Sequence, residues 1–120
     1  MFWAAFANTG QICLATKRLY LHADIYDEMA RELAELAATV TMGNPAEDES
    51  VVLGPLSNLR QYETVLDLLT DCRDQDYAFL SGGLPDPETA GYFVRPTLVD
   101  TPRTAPASCA RSSSGPSCRS

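Results

Sequence analysis

The sequence predicts an α/β fold, a largely parallel sheet with flanking helices. Two stretches carry apolar residues at helical spacing, short β-patterned runs alternate with them, and 45% of the 120 residues are hydrophobic, enough to build a core. Alternation of helix and strand along a chain is the pattern of parallel sheets covered by helices. A chain of this length suits one domain or a piece of a larger one.

Taken in order, Phe2, Trp3 and Phe6 form an i, i+1, i+4 apolar patch, so the opening reads as the end of a helix. Gly10 interrupts it. "KRLYLH", residues 17–22, alternates Leu19 and Leu21 against Tyr20 and predicts a strand. Asp24 is a natural N-cap for the next helix, whose stripe is Ile25, Met29, Leu33, Leu36, Ala37 and Val40, with Asp27, Glu28, Arg31, Glu32 and Glu35 mainly outside it. Gly43 and Pro45 are placed to end it. "NPAEDESVVLGPLS", residues 44–57, reads as an acidic loop with a Gly54–Pro55 turn. A second helix is expected from about Asn58, with Tyr62, Val65, Leu66, Leu69 and Cys72 on one face. "YAFL", residues 77–80, predicts a short strand running into the turn "SGGLPDPETAG". "YFVRPTLVD", residues 92–100, predicts another, set by Pro96 at an edge or a bulge. Residues 101–120 contain no Val, Ile, Leu, Met or aromatic residue, so disorder is expected there.

Charge excludes some functions. The net charge is −7, and residues 1–100 hold all sixteen carboxylates but six of the nine basic residues. Nucleic acid and anionic membranes are therefore not expected partners, since phosphate neutralisation needs clustered Lys and Arg. No run approaches transmembrane length. "MFWAAF" is too short and lacks the basic flank of a secretory signal, so a reducing cytoplasm with free thiols is expected. Cys13, Cys72, Cys109 and Cys118 lack the close pairing of a zinc site or a C-x-x-C motif, and no metal ligands are assigned. The "EDES" loop lacks the ligand and glycine spacing of a calcium loop.

Cys13 is the candidate catalytic residue. An isolated cysteine is usually a small buried hydrophobe. Here Gly10 and Gln11 stand just before it in the long string F-x-N-x-G-Q-x-C-x-A, and such a tight backbone presents a side chain. His22, the only histidine, lies at a predicted strand end and is read as structural, and Cys72 as core.

Phe6, Asn8, Gly10, Gln11, Cys13 and Ala15 resemble the active-site cysteine motif of NAD(P)-dependent aldehyde dehydrogenases. The resemblance continues through Arg18, "LHADIYDEM", "MGNP", "LGPLSN", Gln61, Gly82–Gly83 and "GYFVRPTLVD", and so covers residues 1–100. It implies part of the catalytic domain of that fold. It also implies oxidation of an aldehyde to a carboxylic acid, in which a cysteine thiolate forms a thiohemiacetal and then a thioacyl intermediate. Cys13 is then the nucleophile, its own N–H one oxyanion donor, and Asn8, Gly10 and Gln11 shape the loop. The implied cofactor is NAD or NADP, the implied partner a small-molecule aldehyde, and full-length members are usually homo-oligomers.

In such enzymes the dinucleotide-binding domain, the general-base glutamate and the asparagine of the oxyanion hole precede the cysteine motif. Among these 120 residues no phosphate-cradling loop occurs, and "SGG" reads as a turn. Cofactor-binding residues are therefore assigned to none of them, and the isolated chain is expected to be inactive. After "PTLVD" the family has a segment of the form R-E-E-Q-F-G-P-V. Permitted codons for "ASCARSSSGPSCRS", read from the third base, give V-V-R-E-E-Q-F-G-P-V-L-P-V. The expectation is a shifted reading frame between about Asp100 and Ala107. The alternatives are a non-enzymatic thiol, redox-sensing or interaction fragment, and an esterase-like acyl transfer at Cys13.

Overall fold

The structure, a computed structural model, describes residues 1–100. In chain order it contains helix α1 (Phe2–Phe6), a 3₁₀ turn (Ala7–Gly10), α2 (Ala23–Thr39), α3 (Leu59–Asp74), β1 (Ala78–Ser81) and β2 (Leu98–Asp100). The tail beyond Asp100, where disorder and a frame shift are expected, lies outside the described residues.

The expected parallel sheet is corrected. β1 and β2 form a two-stranded antiparallel sheet, pairing Ala78 with Asp100 and Phe79 with Val99, and a bulge then sets Ser81 against Leu98. Parallel neighbours need a crossover, usually a helix, whereas directly connected strands can fold back antiparallel. Residues 82–97 between these two strands hold three prolines and no helix, so the chain returns on itself. The parallel pairing present among the described residues is a single bridge between Met42 and Leu53.

Two further expectations change. "KRLYLH" has strand alternation but adopts no strand among the described residues, and Tyr20 stays 86% exposed. A β-pattern becomes a strand only where a neighbour satisfies its backbone. The final strand is three residues long, not nine, and Pro96 is followed by Thr97 before pairing starts.

The helices follow their patterns more closely. α2 is capped two residues before Asp24: His22 is the N-cap, its Nδ1 accepting the Asp24 amide at 3.3 Å. It ends at Thr39, with Val40 extended, before Gly43 or Pro45 is reached. α3 is capped by Asn58, whose Oδ1 accepts the Gln61 amide at 2.9 Å. Ala37 and Val40 join Phe2 and Leu53 in one apolar cluster, with Phe6, Leu33, Met42 and Leu98 against it. Ile25 and Leu36, expected in that stripe, are exposed. Leu56, Leu69 and Val94 form a second cluster, flanked by Tyr62, Val65 and Phe79. The loop 41–57 thus supplies Leu53 to the first cluster and Leu56 to the second. It lies beside the chain that leaves α1, which fixes where the site forms.

Candidate active site

The site begins at the end of α1. The backbone turns left-handed for three residues, with φ of 50° at Asn8, 57° at Thr9 and 72° at Gly10. Glycine has no Cβ to oppose this, and asparagine visits the region routinely. A β-branched threonine does not, and its presence there costs about 1–2 kcal/mol.

Hydrogen bonds from three directions hold the turn. The Thr9 hydroxyl donates to the Gly54 carbonyl at 3.1 Å. The Ser57 amide donates to Gln11 Oε1 at 2.8 Å. Lys17 Nζ donates to the Gly10 carbonyl at 2.8 Å, and partial burial holds this ammonium below the usual lysine pKa. Within the turn the Gln11 amide closes onto the Asn8 carbonyl at 3.1 Å. The cysteine loop and the "LGPLSN" loop, 45 and 46 residues apart at these contacts, are therefore one unit.

Cys13 follows as the second residue of a turn closed by the Ala15 amide on the Ile12 carbonyl at 3.0 Å. The Thr16 amide donates to the Ala4 carbonyl at 2.8 Å, tying the exit of the turn back to α1. The Cys13 thiol is free and exposed. Its amide has no hydrogen-bond partner among the described residues. An accessible sulfur next to an unspent N–H is the minimal equipment for adding a thiolate to a carbonyl and steadying the resulting oxyanion.

Asn8, Gly10, Gln11 and Cys13 are thus brought together in one loop. Thr9, Lys17 and the backbone of Gly54 and Ser57 belong to the same unit, yet their own residue types carry no sequence signal for it. Cys72, expected in the core, is half-buried on α3. His22 is engaged as the cap of α2, and its exposed contact with Asp24 at 3.4 Å contributes little as an ion pair. The acidic loop is organised by its own side chains: Asp48 accepts the Ser50 amide at 2.8 Å, and hydrogen bonds from Ser50 lower its pKa. Among the described residues no group of three or more acidic, histidine or cysteine side chains could hold a metal ion. No helix there is long and apolar enough to cross a membrane.

A dinucleotide needs backbone amides at a glycine turn that opens a helix. Gly82 and Gly83 follow β1 but lead into irregular chain, and Gly82 is covered by Pro96 and Thr97. That glycine pair does not form such a turn.

The geometry thus presents a free, exposed cysteine just after a left-handed turn that is braced to a second loop. The family model described as "Aldehyde dehydrogenase family" matches residues 1–116, and the chain belongs to that family. It is similar to D-glyceraldehyde dehydrogenase (NADP(+)) of Picrophilus torridus, at 37% identity over 112 residues, covering 88% of this chain and 22% of the relative. Lactaldehyde dehydrogenase of Escherichia coli superposes with a TM-score of 0.76 at 32% identity, over 82% of this chain and 20% of that one. A cysteine-to-alanine mutant of an aldehyde dehydrogenase from Pseudomonas syringae, solved with NAD+ and octanal, gives 0.75 at 28% identity, again over 82% and 20%. The chain spans about a fifth of the length of the relatives it matches.

Proposed function

We propose that this chain is the segment of an aldehyde dehydrogenase that carries the nucleophile, and that Cys13 is that nucleophile. The carrying observation is the exposed Cys13 thiol beside its own amide, which is unbonded among the described residues, on the braced turn. The Cys13 thiolate forms a carbon–sulfur bond to the aldehyde carbonyl carbon. The π electron pair moves to the oxygen, the Cys13 N–H donates to that oxygen, and the thiol proton is left with solvent. For the whole protein the reading is conversion of an aldehyde, water and oxidised NAD(P) to a carboxylic acid and reduced cofactor. The nicotinamide and the base for the deacylating water are held by residues other than these.

The domain reading is part of the same proposal. Residues 1–100 form a piece of the catalytic domain, and the tail is the family segment read in a shifted frame. Permitted codons for residues 107–120, read from the third base, spell R-E-E-Q-F-G-P-V, which supports that reading. Sequencing the locus tests this, and a coding sequence with no such segment in any frame refutes it.

The nucleophile is tested with p-nitrophenyl acetate, which needs no nicotinamide. Peptide mass mapping is expected to find the acetyl group on Cys13 well ahead of Cys72, and p-nitrophenolate release to fall in Cys13→Ala. Acylation of Cys13 no faster than of Cys72 overturns the assignment.

A further inference from the structure

Thr9 is the one β-branched residue in the left-handed run 8–10, and its hydroxyl leaves the cysteine loop to reach Gly54. Gln11, two residues on, accepts the Ser57 amide from the same neighbouring loop. Both bonds end on backbone atoms, and that backbone is anchored beneath. Leu53 is 2% exposed and Leu56 7%, each seated in a different apolar cluster. The Leu56 amide also donates to the Tyr92 carbonyl at 2.8 Å. The strained turn is therefore fastened to a loop whose Leu53 and Leu56 side chains are buried.

From this we infer that residues 54–57 are a clamp for the nucleophile loop, and that Thr9, through its hydroxyl, is a positioning residue that keeps the Cys13 sulfur and the Cys13 N–H in register. This rests on the assignment of Cys13 as nucleophile and goes beyond it by naming what aims it. The fastening matters because a left-handed threonine is disfavoured and relaxes when its restraint is removed. Relaxation moves the peptide plane that carries the oxyanion donor relative to the sulfur. It does not bury the sulfur, which is already exposed. Two reactions of the same thiol should therefore separate. Alkylation by iodoacetamide needs only an accessible sulfur. Acylation by p-nitrophenyl acetate, in which the sulfur–carbon bond forms and p-nitrophenolate departs with the carbon–oxygen bond pair, also needs the N–H in place.

The experiment measures both rates at Cys13 in the full chain and in Thr9→Val, Thr9→Ser and Gln11→Met, following each by peptide mass mapping. Valine keeps the branched shape and removes the hydroxyl, while serine keeps the hydroxyl. Loss of one such hydrogen bond is expected to lower the ratio of acylation to alkylation by about threefold to tenfold in Thr9→Val and in Gln11→Met. Thr9→Ser should stay within about twofold of the parent. A role in folding alone would move both rates together and leave the ratio unchanged. If helical circular dichroism shows that Thr9→Val does not fold, Gln11→Met carries the test. An unchanged ratio in the folded variants, or an equal fall in Thr9→Ser, overturns the clamp. Absence of preferred acylation in the parent chain instead overturns the nucleophile assignment, a distinct result.

Discussion

Replacing Gly10 by alanine isolates how much of the site depends on a missing side chain. Gly10 has φ of +72°, and a Cβ there would lie 3.0 Å from the Ala5 carbonyl oxygen and 3.6 Å from Lys17 Nζ. The left-handed conformation costs a non-glycine residue about 1–2 kcal/mol. The contact adds to that, because the oxygen belongs to the backbone of α1 and cannot swing aside. Alanine also reduces the freedom of the unfolded chain, which returns about 0.4–1 kcal/mol. The net expectation is a loss of about 1–2 kcal/mol, or a fall in melting temperature of roughly 4 °C or more for a folded unit of this size. Gly54→Ala is the matched control. That glycine is not left-handed, its nearest new contacts are Pro45 Cδ at 3.8 Å and Cγ at 3.9 Å, and its carbonyl still receives the Thr9 hydroxyl. Alanine there should be neutral or slightly stabilising. Thermal unfolding by circular dichroism reads both. Equal melting temperatures for the two variants would refute the claim that the turn, and not glycine content in general, sets the requirement.

Other expectations follow from the same contacts. Gly82→Ala should cost about 2–4 kcal/mol and loosen the β1–β2 pairing, because a Cβ at φ +70° would overlap Thr97 Oγ1 and lie 2.6 Å from the Pro96 carbonyl oxygen; urea unfolding measures it. Asn58→Ala removes the cap of α3 and should cost about 1 kcal/mol, with Asn58→Asp retaining most of it; the same urea series decides. Tyr26 carries a pKa raised above 10.0, first by desolvation and then by its hydrogen bond and charge interaction with Asp100 and the charge of Asp27. Its folded form thus holds the proton longer than its unfolded form, so this stability is present below pH 10 and lost as pH rises through the folded pKa. Tyr26→Phe should make unfolding less pH-sensitive above pH 10, and an unaltered alkaline slope would count against the contact. The 120 residues alone should give no NADH from aldehyde and NAD above a Cys13→Ala control. Loss of a general base costs about 10²–10⁴-fold and of a second oxyanion donor roughly 10²–10³-fold. A rate clearly above the control would contradict the catalytic incompleteness proposed for this segment.

Elements whose rules are local can be read from the residues alone. Asn58 and the stripe of Leu69, Tyr62 and Val65 specify α3 because capping and helical spacing act within a few residues. The string around Cys13 was legible for the same reason: Gly10 marks a backbone that side chains oppose, and the motif is long. Features that depend on partners emerge only from packing. Residues 17–22 alternate like a strand, yet alternation does not supply a neighbour. The direction of β2 relative to β1 depends on the connection 82–97, whose prolines forbid a crossover helix. Ile25 and Leu36 share the helical period of Leu33 and Ala37, and only the packing of α2 leaves them outside. The bracing of the cysteine turn belongs to the same class. A threonine at position 9 and a Gly-Pro-Leu-Ser run at 54–57 carry no mutual signal in one sequence, because a hydrogen bond across 45 residues is created by the fold that brings the two loops together.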